Sequence, residues 1–443
     1  MNAEYNHRQI WNVSYPIMLG LLAQNIIGIT DTAFLGRLGE VELGGAALGG
    51  LWYLAIYMLG FGFSTGSQVL IARRNGDGQI DKIASYFVQG NLFLWALAIG
   101  IIILSLRFAA PILRPAIQSQ AVFQATIEFL DSRIWGLLFA FPLVMFRAFF
   151  VGITRTRILT VSALIMAVIN IFLDYVLIFG KFGFPFLGIQ GAAIASVIAE
   201  ALTALYLVIY LLYSVDLRKY GFYQRASYGL SQLAKVLDIS FWTMIQYFVA
   251  LGTWFIFFLA TEHLGERPLA ISNIVRSLGT LLFMSVSAYG TTANTLVSNL
   301  MGEGRTSEVT ALLWRIMRQS VVVIVPIMLL LTFLPVFFLR IYSNDHALIA
   351  ASIPSMLVLV WSYVFTTPGA ILFQFISGTG NTRSALLIEC IVLALYMAFV
   401  VGLTYMSGVD VAVYWLSEHV YWSVIFICSL LYLYKADWQS RQI

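Results

Sequence analysis

Apolar residues along this chain gather into long runs closed by short polar stretches. A helix that crosses a bilayer needs about 20 mostly apolar residues. Twelve runs reach that length: 11–35, 41–72, 83–106, 126–153, 158–180, 186–213, 236–261, 269–300, 314–339, 347–377, 384–406 and 411–435. The pattern predicts an all-α, polytopic membrane protein of about twelve transmembrane helices. No charge interrupts the stretch from Leu43 to Ala72. As a helix it would reach about 45 Å, beyond a hydrocarbon core of about 30 Å, so it must tilt or protrude. The first run begins at Trp11, is too long for the apolar part of a secretory signal and carries Asp31, so it reads as a retained span. The longest polar connection follows the sixth run. It divides the chain into an N-terminal six-helix lobe (1–213), a cytoplasmic linker (214–235) and a C-terminal six-helix lobe (236–443).

The pattern also repeats. Shifted by 226 residues, Leu38-Gly39-Glu40 meets Leu264-Gly265-Glu266, Trp135 meets Trp361, Pro142 meets Pro368, and Thr156-Arg157 meets Thr382-Arg383. One constant offset with Gly, Trp and Pro among the pairs marks an internal duplication. Each half holds an even number of spans, so the repeats share one topology. They are expected to be two bundles related by a pseudo-two-fold axis along the membrane normal. Such bundles suit rocking about a central cavity.

Composition agrees with the pattern: 60% of residues are hydrophobic and 10% charged, against about 25% charged in soluble domains. The formal net charge of +4 is too small to argue for nucleic acid. Its distribution matters more. Alternate connections on one side hold sixteen Lys and Arg, among them Arg73, Arg74, Arg218, Arg225 and Arg383, and the other side holds six. Basic residues favour the cytoplasmic side, which places both termini in the cytoplasm of an inner-membrane protein. Arg133, Arg147 and Arg276 lie within or at the edges of spans and were left out of that count; Arg147 is near enough to an end to snorkel. Cys390 and Cys428 sit in apolar runs without metal-ligand spacing. No phosphate-binding Gly-rich loop is present, and the four histidines form no metal pattern.

Ionisable groups inside spans are costly and are functional candidates by default. Asp31 precedes Gly36 by five residues and Asp174 precedes Gly180 by six. At 1.5 Å per residue both lie about 8–9 Å inside the outer end of their spans. Ser196, on the antiparallel sixth span, falls near the same level. Asn170 is one turn deeper than Asp174 on the same face, and Glu200 stands in the same relation to Ser196. Under the 226-residue shift Asp31 becomes Phe257, Asn170 becomes Tyr396 and Asp174 becomes Val400. The acids thus belong to one half only, as a coupling-ion site may and symmetric structural glue would not. Glu200, Gln24 and Arg276 are further candidates for a cavity lining. Glu389 is expected to be wetted near the inner surface, and Glu418 with His419 in a wetted outer half. Gly62 and Gly66 form a small-xxx-small pair that suits helix packing.

These residues resemble a known family. Asp31-Thr32-Ala33-Phe34-Leu35-Gly36-Arg37-Leu38-Gly39 resembles the end of the first helix in multidrug and toxic compound extrusion (MATE) transporters. Asn170-Ile171-Phe172-Leu173-Asp174 is similar to their fifth-helix Asn-x-x-x-Asp. Gly188 to Ser196 resembles the sixth-helix Gly-x-x-Gly-Ala-Ala-x-Ala-Thr, and Gly378-Thr379-Gly380-Asn381-Thr382-Arg383 the Gly-x-Gly-x-Thr stretch between helices ten and eleven. The resemblance covers nearly the whole chain. It implies a monomer with no cofactor that exports amphipathic, often cationic, organic compounds, with H+ or Na+ as the coupling ion. Asp31, Asp174, Asn170 and Ser196 would be the ligands of that ion, with Ser196 keeping the hydroxyl of the family's Thr. Span seven offers Gln246 and no buried carboxylate, and the body of span ten has none, which favours the DinF-type prokaryotic branch.

The expected mechanism is competition. Two close carboxylates in apolar surroundings are costly to hold ionised. A proton or Na+ entering from outside relieves that cost, lets the first helix repack and releases the drug outward. The ion must favour one conformation or it shifts nothing. One alternative, a flippase or exporter of lipid-linked metabolites, would need a more basic cavity than Arg276 supplies. Another, a membrane-embedded enzyme, would gain nothing from the duplication.

Overall fold

The computed structural model describes residues 5–223, 229–342, 344–406 and 408–441. Arg225 and the rest of 224–228, inside the expected linker, lie outside the described residues. The described residues form helices and no strand: α1 (His7–Leu38), α2 (Glu40–Gly76), α3 (Ile83–Leu113), α4 (Gln120–Arg133), α5 (Leu137–Gly152), α6 (Arg157–Phe179), α7 (Gly188–Ser214), α8 (Leu230–Glu262), α9 (Glu266–Gly302), α10 (Val309–Phe333), α11 (Pro335–Leu339), α12 (His346–Gly378), α13 (Thr382–Thr404), α14 (Val411–Tyr414) and α15 (Leu416–Lys435), with short 3₁₀ turns between some of them. Twelve helical stretches are long and apolar enough to cross a membrane, and they coincide with the twelve expected runs. The ninth run overshoots. Its helix stops at Phe333, because Pro335 lacks an N–H to continue the ladder and instead opens α11. The fourth span is α4 and α5 joined through a 3₁₀ turn at Ile134–Gly136.

Packing divides the chain into two compact units, Leu19–Met244 and Met1–Met18 with Ile245–Ile443. These units differ at their edges from the lobes expected at 1–213 and 236–443. A residue's unit is decided by what its side chain packs against, not by the position of a polar loop. The division falls inside α1 and inside α8, at positions exactly one repeat offset apart: Leu19 shifted by 226 is Ile245.

In the unit Leu19–Met244, the first turns of α8 lie against α2. A Cβ on Gly62 would stand 2.6 Å from the Thr243 carbonyl oxygen, and one on Gly66 would stand 2.5 Å from Ser240 Cα. Only glycine permits that approach, so this small-xxx-small pair packs helices. Ser67 and Ser240 hydroxyls meet at 3.2 Å. In the other unit, the start of α1 lies against α9 in the equivalent way, with Ser14 Oγ 2.9 Å from Thr292 Oγ1. Ser14 is Ser240 less one repeat, and Thr292 is Gly66 plus one. Each unit is therefore completed by the opening turns of a first-repeat-position helix from the opposite half. The unit holding α9–α15 is built around α12, which packs on α9, α10, α13 and α15.

Candidate functional site

The site lies within the unit Leu19–Met244, between α1, α2, α4, α6 and α7. α6 is stopped by Gly180 in a left-handed conformation (φ 62°), and α7 returns antiparallel beside it. The turn after α6 and the start of α7 bring Asp174, Asn170 and Ser196 together. A Cβ on Gly191 would stand 2.7 Å from the Leu177 carbonyl, so the absence of a side chain there lets the two helices close.

A cavity of about 340 Å³ opens on this face; Asp31, Asn170, Ser196, Glu200 and Arg133 supply its polar lining, and Leu35, Phe129 and Met166 are among its apolar walls. Asp174 stands behind that lining with 0% of its surface exposed. Its carboxyl lies within hydrogen-bonding reach of the Asp31 carboxyl. As carboxylates neither has a hydrogen to give, so both Asp174 oxygens and Asp31 Oδ1 are buried without a donor. Asn170 Nδ2 donates to Ser196 Oγ at 3.3 Å, which leaves Asn170 Oδ1 also buried and unpartnered. Four hard oxygen acceptors of Asp31, Asn170 and Asp174 are thus buried and orphaned. Buried polar groups are normally satisfied, and each exception marks missing chemistry. A shared proton supplies it, and so does Na+, whose ligands would be Asp31, Asn170 Oδ1, Asp174 and Ser196 Oγ.

Two of the further candidates fall elsewhere. Gln24 is exposed and outside the lining. It is two turns from Asp31 on the same face, so it lies about 10 Å deeper, past the end of the cavity. Arg276 belongs to the other unit, where its guanidinium lies 5.0 Å above the Phe258 ring. Glu200 does line the cavity, but as half of an ion pair.

Its partner, Arg133, is the residue that sequence reasoning missed. Both guanidinium nitrogens donate to Glu200, at 2.9 and 2.5 Å, and the guanidinium lies 3.7 Å over the Tyr53 ring. It is close enough to act electrostatically on Asp31. Gly136, in the 3₁₀ turn after α4, makes room for this pair: any Cβ there would collide with both the Arg133 guanidinium and the Glu200 carboxylate. The signal was available. Arg133 shifted by 226 is Leu359, so it too is a charge present in only one half.

Glu389 and Glu418 were expected to be wetted. They are 1% and 9% exposed, because Tyr421 and Trp422 close over them from α15.

Comparisons with known proteins agree with this architecture. Residues 16–176 and 243–401 match the family model described as MatE. The chain therefore belongs to the MATE family, which is a family of transporters and not of enzymes. A probable multidrug resistance protein NorM of Pasteurella multocida is 26% identical over 296 residues, covering 66% of this chain and 63% of the relative. The match thus spans less than two thirds of that relative's length. The probable NorM of Thermotoga maritima is 25% identical over 451 residues, 98% of this chain and 94% of the relative. Among solved structures, an outward-facing multidrug resistance MATE transporter of the MOP superfamily has a TM-score of 0.89 at 15% identity, over 98% of this chain and 97% of its own. A MOP superfamily transporter from Pyrococcus furiosus has a TM-score of 0.87 at 17% identity, over 96% and 94%.

Proposed function

We propose that this protein is a cation-coupled antiporter of the cytoplasmic membrane that exports amphipathic, often cationic, organic compounds in exchange for H+ or Na+. The observation that carries this reading is the Asp31–Asp174 pair, two carboxyls within reach of one proton at the wall of a largely apolar cavity. The NorM relatives, named as multidrug resistance proteins, support the substrate class. The DinF-type assignment rests on spans seven and ten: Gln246 is buried, Asp238 at the start of α8 is exposed, and no acid lies in the body of α12. The excess of Lys and Arg on one side supports cytoplasmic termini.

In this mechanism the ion and the drug compete. Holding two facing carboxylates ionised in an apolar wall is costly. A proton bridging them, or Na+ held by the four oxygens, removes the cost. α1 then repacks toward α6 and the cavity shrinks, which expels the drug. Arg133 is near enough to act on Asp31, but its charge is already paired with Glu200. We favour the proton, since Asn170 and Ser196 alone recommend a Na+ cage. The test is drug affinity of the purified protein across pH, with and without Na+. Release of drug on acidification, abolished by Asp31→Asn, supports proton competition. Release by Na+ at constant pH assigns the site to Na+. Affinity that ignores both variables would falsify the mechanism.

A further inference from the structure

The unit holding α9–α15 contains two buried acids that the coupling mechanism does not use. Glu389 on α13 accepts a hydrogen bond from Tyr421 Oη at 2.6 Å. Glu418, three residues before Tyr421 on α15, accepts one from Trp422 Nε1 at 3.2 Å. The Tyr421 phenol lies within electrostatic reach of both carboxylates. Two further buried polar side chains, Tyr396 and Ser417, stand beside Glu418. Tyr396 is 1% exposed; its hydroxyl faces Ser417 and Glu418, and its ring stands edge-on to Tyr421 at 6.0 Å. The acids are therefore not isolated accidents on a surface. They sit in a closed cluster of aromatic and hydroxyl side chains in which no lysine or arginine acts on them among the described residues.

Its place in the repeat is telling. Tyr396 is Asn170 plus 226, Ser417 is Gly191 plus 226 and Trp422 is Ser196 plus 226. The cluster thus occupies, in its own unit, the helix pair that carries the Asp174 site in the other. We propose that Glu389 and Glu418 form a second proton-binding site, on the repeat-equivalent helix pair and independent of the first.

The ligand chemistry is set by what surrounds the carboxylates. Tyr363 from α12, Tyr396 from α13 and Tyr421 from α15 are the titratable groups that face them. His419 turns to the Val358 carbonyl at 2.8 Å, and α14 contributes no titratable group that acts on either acid. No lysine or arginine acts on either carboxylate among the described residues. A negative charge buried without a cation takes up a proton before it tolerates burial. Na+ fits poorly, because an indole N–H and a phenol O–H already point inward as donors, where a metal ion needs oxygen acceptors. A proton on Glu418 turns that carboxyl into a donor, and the hydroxyls of Tyr396 and Ser417 can accept from it as readily as donate.

The experiment is infrared difference spectroscopy of the full-length protein in detergent during a pH titration, with glutamate carboxyls labelled with ¹³C. Labelling separates Glu bands from those of Asp31 and Asp174. The expected result is a protonated-carboxyl absorption that shifts with the label, persists at neutral pH and disappears on further alkalinisation. It should survive Asp31→Asn/Asp174→Asn and be lost in Glu389→Gln/Glu418→Gln. Tyr421→Phe, which removes the donor to Glu389 and retains the ring, should move the Glu389 component if the Gln variants fold poorly. A spectrum with no protonated glutamate at neutral pH overturns the proposal. So does a labelled band that the double Gln variant retains, or one that Tyr421→Phe leaves in place. Loss of the band in Asp31→Asn/Asp174→Asn would show that the two sites are one coupled system and would also overturn it. Failure of ion coupling at Asp31 leaves this measurement unaffected.

Discussion

The same helix framework carries a charged, hollow face in one unit and an aromatic, filled one in the other. Where Arg133 lies over Tyr53, the repeat places Leu359 over Gly279, so close that a Cβ on the glycine would stand 2.6 Å from the leucine Cδ2. Where Asp31 faces Asp174, the repeat places Phe257 and Val400, and the Phe257 ring lies tilted 4.7 Å from that of Trp415. Ser196 and Glu200 become Trp422 and Phe426. A face that exchanges an ion has to be left short of side-chain volume and short of donors. The filled unit shows what the scaffold does when that demand is removed: it packs large rings and draws its two acids under them.

The largest effect is expected from exchanging the two faces at the acids. Asp174→Val, which installs the residue of the filled unit, should reduce ion-driven efflux from liposomes to that of empty vesicles, with insertion unchanged. Asp31→Asn should do the same, and adding Phe257→Asp should not restore transport, since one acid without Asn170, Asp174 and Ser196 is not a site. Recovery in that double variant would show the faces to be interchangeable. The next effect concerns the ion pair. Arg133→Leu leaves Glu200 buried and alone, at a cost of about 3–5 kcal/mol. Thermal unfolding should record the loss, and Arg133→Leu/Glu200→Phe, the pair of the filled unit, should recover most of it. An Arg133→Leu protein as stable as the parent would mean that water already screens the pair.

Smaller changes sharpen the picture. Ser196→Ala removes one hydrogen-bonding hydroxyl, worth about 1 kcal/mol, and should weaken ion-driven displacement of drug by about fivefold. Equal displacement in both proteins would take Ser196 out of the ligand set. Smallest of all, Ser14→Ala and Ser240→Ala occupy equivalent places in the two units and should each lower stability by about 1 kcal/mol or less without touching transport. Very unequal losses would mean that the two seams are not built alike.

The spans, their number and the duplication were legible because lipid imposes them residue by residue: a run of apolar side chains has few other uses. Asp31, Asn170, Asp174 and Ser196 were legible as a group because helix geometry converts sequence spacing into depth and face. Arg133 was not, because depth counted along spans one, five and six says nothing about which residues of span four turn inward. Its inward turn depends on the 3₁₀ turn at Ile134–Gly136 and on the glycine there. Glu389 and Glu418 were misplaced for a related reason. Distance from a helix end predicts wetting only when no ring stands in the way, and Tyr421 and Trp422 do.

The division of the chain inside α1 and α8 has a consequence for biosynthesis. Residues before Met18 leave the ribosome well ahead of their packing partners on α9, which are made more than half a chain later. The unit that begins at Leu19 is likewise unfinished until Ser240 has been made, beyond the linker at which the chain divides by eye. A cut in that linker would therefore not yield two self-sufficient halves. Each fragment would carry a strip of helix that completes the other, so the two should acquire protease resistance only when made in the same cell.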